Sequence, residues 1–135
     1  MIDSVYLYVL MRNDLDSLIK NPGKMAAQST HAANKCIFDG RKKENKELIS
    51  LIDEWENQTN QGFGTCIVLA VKEKQMRDIT AMAKELGYHA DIVNDPTYPL
   101  QDGDTLHLIS LDTCAYVFCR KNVAKTILYD LSLMP

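Results

Sequence analysis

The sequence predicts a three-layer α/β/α domain in which helices cover both faces of a small mixed sheet of about four strands. Two observations carry this expectation. Residues 4–11 and 65–71, "SVYLYVLM" and "TCIVLAV", are apolar at odd and even positions alike, as strands buried on both faces are. The stretches between and after them place apolar residues at helical spacing, so strands and helices alternate along the chain.

The first strand leads into a polar loop, "RNDLDSLIKNPG". Asn21 has the chemistry of an N-cap and Pro22 suits a first helical position, which predicts a helix over residues 22–38, stopped by Asp39-Gly40. A second helix is predicted over 46–56, where Leu48, Leu51, Ile52 and Trp55 form one apolar face. "TNQGFG" is turn sequence ahead of the second strand. In "EKQMRDITAMAKELG", Met76, Ile79, Met82, Ala83 and Leu86 gather on one side and Gly87 provides a C-cap. "YHADIV" reads as a third strand and "TLHLISL" as a fourth, while "NDPTYPLQDGD" between them is too rich in proline and acid for regular structure. "CAYVFC" reads as either a short strand or a continued loop, and "VAKTILYDLSL" as a terminal helix or a mixed segment. There is no internal repeat, and residues 1–135 read as one domain.

Composition narrows the function classes. A 135-residue chain that is 46% hydrophobic, with four prolines and six glycines, leaves little room for disorder. Cysteines at 36, 66, 114 and 119 show no CxxC spacing and the three histidines are scattered, so neither a zinc site nor a disulfide framework is signalled. The short apolar run behind Asp3 lacks the basic flank of a signal peptide, and no run approaches the roughly 18 residues of a membrane span. A soluble, cytoplasmic protein is expected. The net charge of −3 argues against a surface that traps nucleic acid everywhere. Yet Lys20, Lys24, Lys35, Arg41, Lys42, Lys43 and Lys46 cluster, whereas residues 94–104 hold acids and no base. Such a run is either a solvated face or a rim for an anionic partner.

In open α/β sheets ligands bind beyond the carboxyl ends of the strands, which points to the loops after the first and third strands. If those strands run in the same direction, Lys24 and Asp95 share a rim. On the predicted helix, Lys24, Gln28, His31 and Lys35 fall at i, i+4, i+7 and i+11 and form one polar stripe. Met25, Ala26, Ser29, Ala32, Ala33, Cys36 and Ile37 occupy the opposite stripes, where small residues let the helix lie close to the sheet. A wet helix face explains the polar stripe as well as a site does. Lys24, however, sits in the first turn, where the helix dipole disfavours a cation by about 0.3 to 1 kcal/mol unless an anion is near. That placement suits a phosphate or a developing oxyanion. Gln28, both donor and acceptor, can orient a water or a carbonyl.

"RNDL" over 12–15 followed by "GKMAAQSTHAA" over 23–33 resembles the signature of type 2 peptidyl-tRNA hydrolases, and "LIDEWEN", the valine-rich strand and "AKELGYHADIVND" follow in the matching order. The resemblance covers about residues 4–112. It implies hydrolysis of the ester joining a peptide, or an N-blocked amino acid, to the 3′ ribose of tRNA, in translation and ribosome rescue, without metal or organic cofactor. By this resemblance Lys24, Gln28 and His31 match the family's functional lysine, glutamine and histidine, and Asp14 its early aspartate. Lys20 is the counterpart of a first lysine, in a longer loop where "SLIKNP" replaces a glycine-lysine pair. The family's aspartate-alanine-glycine-arginine-threonine run is replaced by "NDPTYPLQDGD". Asp95 matches the aspartate through a shift of one position and Thr97 is a loose counterpart of the threonine, the pattern of a divergent, phage-like member.

The expected site therefore comprises Lys24, Gln28, His31 and Asp95. Lys24 is the oxyanion or phosphate stabiliser, Gln28 the positioning amide and Asp95 the base or water-orienting group, while His31 either supports the site or acts as base. Asp95 ahead of Pro96 is also an ordinary turn initiator. Asp14, Lys20, Thr97, Arg41, Lys42 and Lys43 are expected on the substrate side, the basic run tracking the tRNA backbone. His89 and His107 read as structural or surface groups, and a homodimer is compatible with the sequence. The alternative is a drifted tRNA- or protein-binding module on the same fold, since a fold does not guarantee its chemistry.

Overall fold

The computed structural model describes residues 2–135. Its elements are β1 (Val5–Arg12), α1 (Asp16–Ile19), α2 (Pro22–Lys42), α3 (Lys46–Asn57), β2 (Cys66–Val71), α4 (Glu73–Glu85), β3 (His89–Asp102), β4 (Thr105–Arg120), α5 (Lys121–Ile127) and β5 (Ser132–Leu133). They form one five-stranded sheet in the order β3-β4-β1-β2-β5. β1 is parallel to β2 and antiparallel to β4, and β4 is antiparallel to β3. β1 and β3 therefore run in the same direction, and the segments that leave them start on the same rim.

Alternation along β1 divides the interior in two. Val5, Leu7, Val9 and Met11 pack with Leu18 of α1, Ala32 and Cys36 of α2, and Ile52 and Trp55 of α3. Tyr8 and Leu10 point the other way, onto Met76 and Ala83 of α4 and Ala124 and Ile127 of α5. A strand covered on both faces has no polar side to show, which is why its sequence is continuously apolar. The three-layer mixed α/β arrangement is as expected, with five strands in place of about four.

Three boundaries differ from the sequence expectation, and two segments that it left open are resolved. The predicted loop 94–104 is mostly strand: β3 continues, through two register shifts, to Asp102 and turns through Gly103, at φ +58°, into β4. It tolerates Pro96 and Pro99 because β3 is an edge strand, where a missing N–H costs no ladder bond on the open side. "CAYVFC" lies in the fully buried half of β4, between β1 and β3. The polar loop after β1 contains α1, and the C-terminal segment divides into α5 and the short β5, which pairs with β2. Finally, α2 does not stop at Asp39-Gly40 but runs to Lys42. Gly40 serves close packing: a Cβ there would lie 2.6 Å from Ile52 Cδ1 and 3.2 Å from His89 Nε2. His89 is buried in β3, its Nε2–H donating to the Cys36 carbonyl at 2.8 Å, and is structural as expected.

Gly64 is tighter still. A Cβ there would meet the indole of Trp55 at 2.2 to 2.4 Å, and that ring is fixed by its Nε1–H bond to the Thr65 carbonyl and its edge-on contact with Phe118. Gly64→Ala is expected to destabilise by about 1 to 3 kcal/mol through overpacking. Gly40→Ala should cost less, because the end of Ile52 can rotate away. Urea denaturation midpoints of the two variants check the order.

Candidate active site

Two irregularities in the β3–β4 ladder build the site. Val93 is opposite Cys114 but Asn94 is opposite Asp112, so Thr113 is an extra residue on β4. Asp95 is opposite Leu111 and Tyr98 opposite Ile109, so Pro96 and Thr97 face the single Ser110. Each is a β-bulge, a device that re-aims side chains. Together they turn Thr113 and Asp95 towards α2.

The polar stripe of α2 runs along β3, and each of its four members touches that strand. Lys24 Nζ donates to the Pro99 carbonyl at 2.7 Å, Gln28 Nε2 donates to Asp95 Oδ2 at 2.8 Å, His31 Nε2 lies 3.9 Å from the same oxygen, and Lys35 reaches Asp91 at 3.1 Å. The expectation that this stripe stands opposite the sheet-facing residues is corrected. Gln28 is 2% exposed, in line with the buried Ala32, Cys36 and Gly40, while Ala26 is on the solvent side. A glutamine can take that inner position because both ends of its amide find partners. The Thr113 hydroxyl donates to Gln28 Oε1 at 2.6 Å, which directs the NH2 to the Asp95 carboxylate. Thr113, fully buried, is a site residue that sequence reasoning missed. Its signal was slight: the Asp112-Thr113 pair interrupts an otherwise apolar run.

Asp95 is 9% exposed. Burial pushes its carboxyl up, but the Gln28 amide, the Thr97 backbone N–H at 2.9 Å, the nearby His31 and the Thr97 hydroxyl outweigh this and hold it below the usual carboxylate range. Tyr98, buried in the same bulge, anchors it to α1 through a 2.7 Å bond between its hydroxyl and that of Ser17. Lys24 Nζ lies 5.3 Å from the centroid of the Tyr98 ring and makes no ion pair among the described residues. Beside Asp95 a hollow of about 340 Å3 opens between His31 and Asn34 on one wall and Asn94 and Thr97 on the other. The side chain of His31 is 52% exposed at its mouth.

Gln28, His31, Asp95 and Thr97 are thus brought together, while Lys24 lies further along the same seam, against Pro99 and Tyr98 of β3, and does not line the Asp95 hollow. Asp14 faces a bracing network on the same rim. It accepts from Arg12 Nε at 2.9 Å and from the Glu73 N–H at 3.1 Å, while Arg12 also holds the Asp112 carbonyl and Arg77 the Asp112 carboxylate. Lys20 is exposed, 3.9 Å from Asp16. Arg41 comes ten residues after His31, about 15 Å further along the helix, and is turned to Asp53 and Glu56 of α3 at 3.3 and 2.6 Å. Lys43 contacts His89 Nδ1 at 2.9 Å and Lys42 lies over the Phe38 ring. His107 is exposed on β4. Among the described residues no cluster of three or more His, Cys, Asp or Glu is placed to hold a metal, and no helix is long and apolar enough to cross a membrane.

One edge of the α/β sheet thus carries a buried carboxylate, an amide clamped against it and a lysine without an ion pair. The family model described as Peptidyl-tRNA hydrolase PTH2 matches residues 5–134. The chain belongs to this family, whose members are hydrolases acting on peptidyl-tRNA. No curated protein matches it.

Thr113→Val should leave the Gln28 oxygen buried without a donor, at a cost of about 1 to 3 kcal/mol. Thr113→Ser should restore most of it, as thermal denaturation would show. Acid provides a second check. Asp14, Asp91, Asp95 and Asp112 all have carboxyls held below their ordinary range. An unfolded chain takes up these protons first, so the stability they contribute is complete above about pH 4 and is lost as pH falls through their lower folded values. Melting temperatures measured at constant ionic strength are expected to fall steeply below pH 4, and less steeply in Asp112→Asn.

Proposed function

We propose that this chain hydrolyses the ester of peptidyl-tRNA or N-blocked aminoacyl-tRNA, releasing tRNA and peptide. The observation that carries the reading is the buried Asp95 carboxylate, clamped by Gln28 and Thr97 and opening with His31 onto a hollow. A carboxylate offers about four acceptor positions. Gln28 and the two donors of Thr97 fill three of them, which leaves one for a water on the open side. A carboxylate with depressed proton affinity is a poor proton store at neutral pH but a good acceptor. Asp95 therefore aligns the water, and the imidazole of His31 is the nearby group that can take its proton. As the water oxygen bonds to the ester carbon, charge gathers on the carbonyl oxygen, where the ammonium of Lys24 favours it. Collapse of the tetrahedral intermediate expels the ribose 3′ oxygen, which receives the proton. Gln28 fixes the carboxylate, and Thr113 fixes Gln28.

Single-turnover cleavage of N-blocked aminoacyl-tRNA tests this. Wild-type protein is expected to release the amino acid, and Lys24→Ala to do so about 10² to 10³ times more slowly. A loss under tenfold removes Lys24 from the mechanism. Binding of the substrate without cleavage by the wild type identifies a drifted binding module instead.

A further inference from the structure

Between β1 and α2 lies the single turn α1, whose place beside the site is not explained by the chemistry of the ester. Leu18 anchors it, fully buried in the core. Ser17 faces two ways. Its hydroxyl is hydrogen-bonded to that of Tyr98 at 2.7 Å, and its carbonyl accepts from the side-chain amide of Asn21, also at 2.7 Å. Asn21 has the chemistry of an N-cap and occupies that position of α2, yet its side chain caps nothing there and turns back to Ser17. The usual stabilisation of a capped first turn is forgone, and a bond to α1 stands in its place.

These bonds close a ring. From Asn21 the chain enters α2 and reaches Lys24, whose Nζ donates to the Pro99 carbonyl at 2.7 Å and lies 5.3 Å from the centroid of the Tyr98 ring. The Tyr98 hydroxyl then leads back to Ser17 and Asn21. A lysine stem is flexible, and one carbonyl restrains it poorly. The aromatic face adds a second restraint that attracts the ammonium without neutralising it. The ring cannot swing away, because Tyr98 is fully buried and its hydroxyl is tied. Tyr98 also closes the bulge that Asp95 opens. The irregularity that aims the Asp95 carboxylate at Gln28 therefore also sets the ring on which Lys24 rests, so one device places both charges. A buried tyrosine needs a partner for its hydroxyl in any case. That need explains neither the ammonium over its ring nor the tie from the same serine to the first turn of α2.

We propose that Tyr98 is a positioning residue for Lys24, and that Ser17 and Asn21 hold it to the head of α2, so that the ammonium keeps one place relative to Asp95. Lys24 does not line the Asp95 hollow, and a cation acting from outside it stabilises developing charge only if its position is preorganised. A free stem would have to be ordered in the transition state, at an entropic cost that the clasp removes beforehand. The consequence for the reaction rests on the reading that Lys24 stabilises the oxyanion; the restraint on the ammonium does not.

A double-mutant cycle tests it. In single-turnover cleavage of N-blocked aminoacyl-tRNA, Tyr98→Leu should slow the cleavage step about tenfold with substrate binding kept. Ser17→Ala, which leaves the ring and removes its tether, should slow it about threefold, and Ser17→Thr should restore most of the rate. In the Lys24→Ala background, Tyr98→Leu should change the rate by less than about twofold, because a residue that acts through Lys24 has nothing left to position. A loss of packing would be felt equally in both backgrounds. The second measurement needs no activity. In trace acetylation with acetic anhydride, read by mass spectrometry against the exposed Lys74, Lys24 should react about threefold faster in Tyr98→Leu than in wild type. Lys35, held by Asp39 and Asp91, should keep its rate. An equal kinetic loss in both backgrounds, or unchanged labelling of Lys24, would overturn the inference. If Lys24→Ala loses less than tenfold, or wild-type protein cleaves no ester, the oxyanion role of Lys24 falls, while the labelling still decides whether Tyr98 restrains the ammonium.

Discussion

One buried carboxylate sets the terms for everything around it. Taking the Asp95 carboxylate out of water without partners would cost several kcal/mol, so its position is tenable only while Gln28 and Thr97 donate to it. Gln28 in turn needs Thr113 for its own oxygen. These three donors come from α2, the β3 bulge and the β4 bulge, elements far apart in sequence. The helix must therefore lie on the edge of the sheet at one height, and both bulges must be in register. No buried side-chain polar atom among the described residues lacks a partner, so the requirement is met throughout the cluster. The bracing of Asp112 by Arg77, Arg12 and Asn94 stiffens the same two strands from the other side.

The stripe on α2 then takes on a double role. Its residues are ordinary amphipathic polar groups by spacing, yet each contacts β3, so the stripe is an interface before it is a binding surface. Lys24 illustrates the difference. A cation in the first turn of a helix is disfavoured by the dipole unless an anion is near. The structure supplies a milder compensation, the Pro99 carbonyl and the face of the Tyr98 ring. Neither cancels a full charge. The ammonium is thereby held in place without being neutralised.

The fold was legible where burial is two-sided or helical spacing is sustained: β1, β2, α3 and α4 follow from apolar patterning alone. The shared rim of Lys24 and Asp95 followed from supposing that two strands run the same way, which they do. What stayed hidden depends on partners remote in sequence. Gly40 looked like a stop because a glycine after an aspartate usually ends a helix, and only the approach of Ile52 and His89 gives it another purpose. Thr113 carries only the slight signal of a polar pair in an apolar run, since a bulge exists only relative to the strand opposite. The lysines were read as one run along the chain, whereas helical geometry sends Arg41 to α3, Lys42 over the Phe38 ring and Lys43 to His89.

The proline-rich stretch around Asp95 shows how two readings of one residue can be the same property. Asp95 ahead of Pro96 has the chemistry of a turn initiator, and it does close a local turn, its Oδ1 accepting from the Thr97 N–H two residues on. Pro96 has no N–H to satisfy and so fits the unpaired position that a bulge creates. Two prolines on an open edge also leave too few donors for another strand to add there. The turn that makes the stretch look structural is thus what lifts the carboxylate out of the ladder and into reach of Gln28. A flexible loop is one way to aim an aspartate at a helix, and a bulge closed by a proline is another. In both cases the carboxylate arrives with its donors already in place.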